Sequence, residues 1–491
     1  MVVNRAFSPA PRRAALPLLT VLLALSAGVS GLAQANPNAG MSSAANPFYG
    51  SVTLHPATDE VVKLSLDDAV TRGLENNLGL KNAEASQKTL RGQELQALQL
   101  FMPTITVSGG PSVHEYNLAA FGFGPGFVKK LSGLFPGGFP SNLSFITKAD
   151  VTVGQINYEQ SLFSGPTIDG YKAVRAAEKV AYFDMKSGRG EVVQQVATAY
   201  LAAIAAQSEV DNAKALLDAD RVLLDQAHDK HEAGVVANLD ELRARVQFQQ
   251  QQQTVVAAEN RHEKAEILLK REIGLAPGQK IALTDPAPYS ELATRSAEEL
   301  RAQAYENRQD YQKYQAQVRE TRMVVGARKA ERLPSLSFRG NYAVTGVTGS
   351  VYHGTLAAMG TLRVPIFQEA SLRGDADVAR AQLAGANLQL SEIRTRIDVQ
   401  VRSAMMDVEA AQKLVDVARS NVDLAGAALS DETDRFNAGL DDTLPLVRAQ
   451  ASLAGAQTNL VESLYQYNLA KLQLARTTGV LEQQYKVYLG R

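Results

Sequence analysis

Two hydrophobic periods alternate along this chain, one of seven residues and one of two, and their order occurs twice. In the longest seven-residue stretch Val196, Ala203, Val210, Leu217 and Leu224 recur, with Ala199, Ala206 and Ala213 each three residues after a seam position. The seam returns 205 residues later as Val401, Val408, Val415, Val422 and Leu429, accompanied by Ala404, Ala411, Ala418 and Ala425. In an a/d pattern whose every second knob is alanine, helices can approach closely along their whole length. The spacing predicts a first helix from about Tyr171 to Glu232, which at 1.5 Å per residue is a rod of roughly 90 Å. A globular domain of this mass has no need of such a rod.

Each rod is predicted to turn back. Lys230 to Val236 and Arg435 to Asp441 both place a glycine after the last periodic residue and basic side chains in the last turn, a helix C-terminus signal. The return arms run about Leu239 to Ile273, with the polar tract Gln249 to Gln253, and about Leu444 to Thr477, with Leu446, Leu453, Leu460, Tyr467 and Leu474. Both halves are thus helical hairpins, 171–273 and 371–477. The arms are shorter than the rods, the first only roughly 52 Å long. A separate helix in each half, about Leu78 to Leu100 and Arg308 to Glu331, has the length to stack end to end on its arm.

Between the short and the long helix the period drops to two. Leu336, Phe338, Tyr342 and Val344 alternate with Ser337, Arg339, Asn341 and Thr345, and later Leu356, Leu362, Val364 and Ile366 alternate with Thr355, Thr361 and Arg363. The first half has Ile105 and Val107, then Val151, Val153 and Tyr158, with weaker alternation. About ten residues with one oily and one wet face is the length and pattern of a membrane-spanning β-strand. Half-buried hairpins on a soluble core would show the same alternation; strands at the end of a rod in an exported chain favour the membrane. Leu336, Phe338, Tyr342, Val344, Leu356, Leu362 and Val364 are then expected to face lipid. Four strands, about 104–117, 149–163, 335–346 and 355–367, are too few to close a membrane barrel, whose minimum is about eight. The chain is therefore expected to associate with copies of itself.

The duplication shows at the level of single residues. Ser65-Leu66-Asp67-Asp68 and Glu75-Asn76 correspond to Ser296-Ala297-Glu298-Glu299 and Glu306-Asn307 at a constant spacing of 231, which also pairs Met102-Pro103 with Leu333-Pro334. Beyond the strands the spacing drops to 204 or 205, pairing Leu162-Phe163 with Ile366-Phe367, Ala233-Gly234 with Ala438-Gly439, and Gly274 with Gly479. The first half therefore holds an insertion of about 27 residues. Repeats of this length are far beyond solenoid units and indicate a duplicated domain. The predicted organisation is a first repeat over 64–290 and a second over 291–481, between an extended N-terminal tail, 36–63, and a C-terminal tail, 482–491.

Composition narrows the function. With 45% hydrophobic residues the chain is not expected to be disordered. Fifty Lys+Arg against 51 Asp+Glu give no global field to gather nucleic acid. Arg5, Arg12 and Arg13 precede an apolar run from Ala14 to about Val29 and then Ala33-Gln34-Ala35, the layout of a secretory signal peptide over 1–35. No later run is long and apolar enough for a helical membrane span. Cysteine is absent, which removes disulfides, thiolate zinc sites and cysteine nucleophiles. His228 and His231 lie one turn apart beside Glu232, a spacing common on solvated helix ends, and no third ligand is indicated. No phosphate loop, serine elbow or paired-carboxylate arrangement stands out, so no enzyme, metal or cofactor is expected.

Leu64-Ser65-Leu66-Asp67-Asp68-Ala69 with Glu75-Asn76-Asn77, the Met-Pro and Leu-Pro steps before strands, Leu162-Phe163-Ser164-Gly165 and the Ala-Gly hairpin tips resemble the TolC-type outer membrane efflux proteins over about Leu64 to Leu481. The resemblance implies a mostly helical fold with membrane strands, in which long helical hairpins build an α-barrel through the periplasm. Four strands per chain would contribute to a trimeric β-barrel in the outer membrane. It also implies a passive channel of a tripartite efflux or type I secretion system, with a periplasmic adaptor protein and an inner-membrane transporter as partners. The tip residues Gly234, Val235, Gly439 and Leu440 would meet the adaptor. A periplasmic coiled coil without a pore, structural or adhesive, is the alternative; it leaves strands at only one end of the rod without a reason.

The chain departs from that family in two places. An acidic residue commonly sits six positions after the tip glycine; Asp240 fits, but the second repeat has Pro445 there, with Asp441 and Asp442 displaced upstream. The insertion, about Asn117 to Lys148, carries Phe121, Phe123, Phe127, Phe135, Phe139 and Phe145 among six glycines and three prolines; it is expected outside the cell, over the pore mouth, against the outer leaflet, or as a surface loop. At the opposite end the channel is expected to close by charge: Asp240 with Asp441 or Asp442 toward the lumen, and Arg243 or Arg448 linking neighbouring hairpins. Charges that merely solvate a helix end would look the same in sequence.

Overall fold

The structure is a computed structural model that describes residues 46–53, 55–131, 144–234, 237–286, 289–293, 295–347, 350–438, 440 and 443–490. The expected signal peptide, 1–35, and the tail as far as 45 lie outside the described residues. The architecture is that of one compact unit, Phe48–Arg491.

Its described elements run β1 (Val62–Leu64), α1 (Leu66–Asn76), α2 (Leu78–Gln99), β2 (Thr104–Asn117), a 3-10 turn at Leu118–Phe121, α3 (Pro125–Leu131), β3 (Ile146–Phe163), α4 (Gly165–Glu232) and α5 (Asn238–Ile273). The first repeat closes with β4 (Ile281–Leu283), and the rest of the chain gives α6 (Ala297–Asn307), α7 (Gln309–Ala330), β5 (Ser335–Val347), β6 (Tyr352–Arg363), α8 (Glu369–Asn437), α9 (Thr443–Thr477) and α10 (Leu481–Leu489). Helices α2 and α7 are 22 residues each, and the long helices α4 and α8 are 68 and 69. The duplication is therefore structural.

Local signals account for the boundaries. Ser65 closes a capping box with Asp68, and Ser296 accepts from the Glu299 amide at the equivalent place, each satisfying an otherwise orphaned helix donor. The return arms end at Gly274 and Gly479, with φ of 77° and 78°. At Gly479 a Cβ would lie 2.6 Å from the Arg308 amide nitrogen, so both conformation and close approach exclude a side chain.

The core sits where the two repeats meet around the middle of the rods. Val192, Val196 and Tyr200 of α4, Ile393, Ile397 and Val401 of α8, and Leu269, Tyr467 and Leu472 of the arms are all buried. Each large apolar side chain so buried stabilises by roughly 1.5–3 kcal/mol. The Tyr200 hydroxyl bonds the Leu64 carbonyl at 3.0 Å and Asp285 at 2.9 Å, which ties the parallel pair β1–β4 to the rod. Lys471 is wholly buried and donates to the Ser290 carbonyl at 3.2 Å; burial pushes its pKa down to about 8.

Both tails need correction. Residues 482–491 were expected as a tail, yet Leu481–Leu489 is helix α10 with Leu481, Tyr485, Tyr488 and Leu489 buried; i, i+4, i+7, i+8 is one helical face. The N-terminal segment is not free of regular structure. It supplies β1, and before that a strap in which the Ser51 amide donates to the Arg271 carbonyl at 2.9 Å, Val52 to Asn76 at 2.9 Å, and the Gly50 amide to the Glu272 carboxylate at 3.3 Å. This strap crosses the junction where α5 ends and α2 begins. Helix α4 starts at Gly165 rather than near 171, because Ser164 caps it and a proline sits in its first turn.

Candidate functional site

Four antiparallel strands form one sheet in the order β2-β3-β5-β6. Directly paired residues share a face. The register places Ile105 against Tyr158, Val107 against Ile156, Ile156 against Tyr342, Tyr342 against Leu356, and Leu336 against Leu362. Phe338 and Val344 follow on the same face by the two-residue period, opposite Gly360 and Gly354, and Val364 continues it just beyond β6. All seven side chains expected to face lipid therefore share one oily face. They are exposed, Leu356 to 77% and Leu362 to 65%. The other face is mostly polar: Arg339 pairs with Glu159 at 2.7 Å, Asn341 with Asn157 at 2.5 Å, and Gln155 with Ser108 at 3.1 Å, while Val151 and Val153, grouped with Tyr158 in the sequence, fall on this face by register. Strands β2 and β6 are open edges in a single chain, and an unsatisfied backbone group in hydrocarbon costs several kcal/mol. The hairpin β2–β3 runs on to Asn117 and Ile146, past the end of β3–β5 pairing at Val151 and Val347. The insertion is carried on that extension, with Phe121, Phe123 and Phe127 exposed; Phe135 and Phe139 lie outside the described residues.

At the far end the hairpins α4–α5 and α8–α9 pack tip to tip within the chain, through Leu223, Ala227, Ala244, Phe436 and Leu446. Asp240 is buried in this seam and accepts from the Thr443 hydroxyl of α9 at 2.9 Å and from Arg243 at 3.3 Å. The structure thus brings Asp240 and Arg243 together as neighbours one turn apart on α5. Asp240, expected to face the lumen, is drawn by the α9 hydroxyl into the seam between the two hairpins of this one chain. Arg448 is exposed and makes no ion pair among the described residues. Gly234, with φ of 74°, and Leu440 are exposed at the two tips. Val235, Gly439, Asp441 and Asp442 lie outside the described residues.

The second link across the tips escaped sequence reasoning. Lys230 Nζ stands 3.7 Å from the centre of the Phe436 ring and donates to the Phe436 carbonyl at 3.1 Å, a cation–π contact. Phe436 occupies in the second repeat the place of His231 in the first, and an aromatic two residues before an Ala-Gly turn was the available signal. His228 is engaged by Glu241 at 3.3 Å and Glu232 at 3.4 Å. Among the described residues no group of three or more His, Asp or Glu is arranged to hold a metal ion.

Residues 69–275 and 300–480, one stretch in each repeat, match the outer membrane efflux protein family. Nodulation protein T of Rhizobium leguminosarum bv. trifolii is 20% identical over 328 residues, 65% of this chain and 69% of that protein. Outer membrane protein TolC of Escherichia coli is 22% identical over 363 residues, 68% of this chain and 71% of that protein. The crystal structure of the Campylobacter jejuni CmeC outer membrane channel is similar in fold, with a TM-score of 0.68 at 15% identity, over 88% of this chain and 91% of that one.

Proposed function

The chain belongs to the outer membrane efflux protein family, and from this premise we propose that three copies close into one channel that passes substrates outward from a periplasmic adaptor and an inner-membrane transporter. Family membership supplies the outer-membrane location and the channel class; the assembly, its partners and the role of each tip are the proposal. The seven oily-face residues meet outer-membrane lipid, and Gly234, Val235, Gly439 and Leu440 meet the adaptor.

The observation that carries this reading is that the contact between repeats inside the chain is left open at both outer edges. Within the chain, α4 of the first repeat seats on α7 and α9 of the second, through Asp184 with Lys313 at 2.6 Å and Gln194 with Gln473 at 2.6 Å. At the spacing of 205 the α8 counterparts of Gln194 and Leu201 are Val399 and Met406. Leu201 is 4% exposed and Met406 is 70% exposed. On the opposite edge Leu472 of α9 is 1% exposed and its α5 counterpart Ile267 is 39% exposed. Met406 and Ile267 thus lack in one chain the cover that their buried counterparts Leu201 and Leu472 have, as the strand edges β6 and β2 lack partners. A head-to-tail contact that rotates and closes makes a ring. Three copies would contribute twelve strands, above the minimum of about eight; the number three itself is that of the TolC-type channels the chain resembles.

At the tips, Asp240–Thr443 and Lys230–Phe436 hold the two hairpins of each chain together, and Arg448 reaches the neighbouring chain. This narrows the periplasmic mouth. The absence of native cysteine gives a clean test of assembly. Val399→Cys combined with Leu268→Cys, the first-repeat counterpart of Gln473, should on mild oxidation in membranes yield a covalent three-chain species. A protein that stays monomeric on denaturing gels, while its cysteines remain free and accessible, would overturn the ring.

A further inference from the structure

We propose that the groove between α4 and α7 is a binding site for small amphiphilic anions, an apolar body bearing one carboxylate, sulfate or sulfonate. The groove has a volume of about 360 Å³, at the small end of ligand-site volumes. Ala176, Ala316 and Met323 line an apolar floor, and Lys172, Arg175, Lys179 and Arg319 stand around it. Lys172 is held by Asp169 at 2.9 Å and Arg175 lies 3.9 Å from Glu94. Lys179 and Arg319 are exposed and have no ion-pair partner among the described residues. Two unneutralised cations over an apolar floor favour a ligand that offers negative charge at one end and hydrocarbon at the other.

The duplication provides an internal control for what the fold itself requires. At the spacings of 205 and 231 the counterparts of the floor residues Ala176 and Ala316 are Ala381 and Ala85, so the small residues are kept. The counterparts of Lys172, Lys179 and Met323 are Asp377, Ala384 and Gly92, while Arg175 and Arg319 correspond to Arg380 and Lys88. These counterparts lie on α8 and α2, which would form such a seam only between neighbouring copies in the proposed ring; there four cations become two cations and an acid, and the side chain that deepens the floor is lost. Packing of the helices does not demand the basic rim. A neighbouring cavity, reached one heptad further along α4 at Lys186, is lined by Arg308, Arg396 and Arg476. Those three are already matched by Asp310, Glu392 and Glu191, which leaves the groove as the place for an added anion.

The test is calorimetric titration of naphthalenesulfonate into the assembled protein in nanodiscs of uncharged lipid. Saturable binding of one anion per chain is expected, with no saturable signal from the uncharged naphthalenemethanol. Lys179→Glu with Arg319→Glu should weaken affinity at least tenfold, and the milder Lys179→Gln with Arg319→Gln severalfold. Arg380→Glu with Lys88→Glu, the counterparts of Arg175 and Arg319, should change it less than twofold. Absence of saturable binding to the parent, equal binding of the uncharged analogue, or equal losses in both seams would overturn the site. Single-channel conductance of the parent distinguishes such a failure from a failure to form a channel.

Discussion

The long helices α4 and α8 carry the same inner seam and meet opposite fates. Val196, Ala203 and Val210 are buried, as are their counterparts Val401, Val408 and Val415. Their outer faces have diverged. Helix α4 is enclosed by the short helices, the strap and the other repeat, and Val192, Tyr200 and Leu201 disappear into the core. Helix α8 stands at the edge of the chain and exposes Leu388, Val399, Met406, Val417 and Leu424. These alternate in steps of 11 and 7, and 18 residues are five turns of about 3.6, so the exposed side chains form two straight files down the rod. Aligned files of large exposed apolar side chains are the kind of surface a packing partner would cover. One copy of the helix teaches what the seam needs inside a chain, and the other what it would need between chains of the proposed ring.

The comparison breaks first at its most buried point. Leu201→Ala should cost about 2–5 kcal/mol, as a cavity in a packed core does, and it should appear as loss of helix at lower denaturant. Met406→Ala at the counterpart position should leave the fold of a single chain within about 0.5 kcal/mol. Its effect should appear in assembly, as dissociation that depends on protein concentration. Equal unfolding by both substitutions would show that α8 has no free face to offer.

A second contrast lies between the two faces of the sheet. Phe338→Arg at the membrane midplane should destabilise by roughly 2–4 kcal/mol, the cost of a cation against lipid. Ser337→Arg, one residue away on the polar face beside Arg339 and Glu159, should be far better tolerated. Heat-modifiable gel migration reads both, and equal tolerance would point to a sheet that meets no lipid.

How much of this was open to inspection in the sequence follows from range. The heptads and alternating strands are local periods, so the seam from Val196 and the strand from Leu336 announce themselves. Ser65 and Ser296 stood out only as matching members of the duplication, and the fold shows them to be caps. The tip contacts did not, because Asp240 and Thr443 are 203 residues apart, and neither residue's pattern names the other. The strap at Gly50 and the helix after Val480 are short, and their burial comes from distant partners. Lys230 was read as a helix-end charge; only the fold brings Phe436 beneath it.

The ends of the two return arms give a third comparison, in pH. Glu272 is the counterpart of Thr477, whose hydroxyl bonds the Leu474 carbonyl at 2.9 Å. Burial raises the Glu272 carboxyl to about 7, against the opposing Gly50 amide and Arg271. A carboxyl whose folded pKa lies above its unfolded value favours folding while protonated. Stability is therefore lost as pH rises from about 4.5 to about 7, by at most about 3 kcal/mol. Glu272→Gln should flatten that slope and leave the mutant more stable than the parent at pH 8 in thermal melts. An unchanged slope would mean that the carboxylate reaches water through the strap.

The smallest effect is expected at the tips, between the counterparts Arg243 and Arg448. Arg243 is occupied by Asp240 at 3.3 Å, and Asp240 is held in turn by Thr443, so Arg243→Glu acts inside one chain. Arg448 has no such partner among the described residues and is exposed, so in a ring its charge is available to the next hairpin. An exposed ion pair contributes only about 0.2–1 kcal/mol, and threefold repetition is what would make a reversible latch of it. Arg448→Glu should therefore raise single-channel conductance in planar bilayers with little change in melting temperature. Arg243→Glu should lower the melting temperature slightly, because it sets a carboxylate beside the buried Asp240, and should open the channel less. If Arg243→Glu opens the channel more than Arg448→Glu, the mouth is held by the seam within each chain rather than by charges between chains.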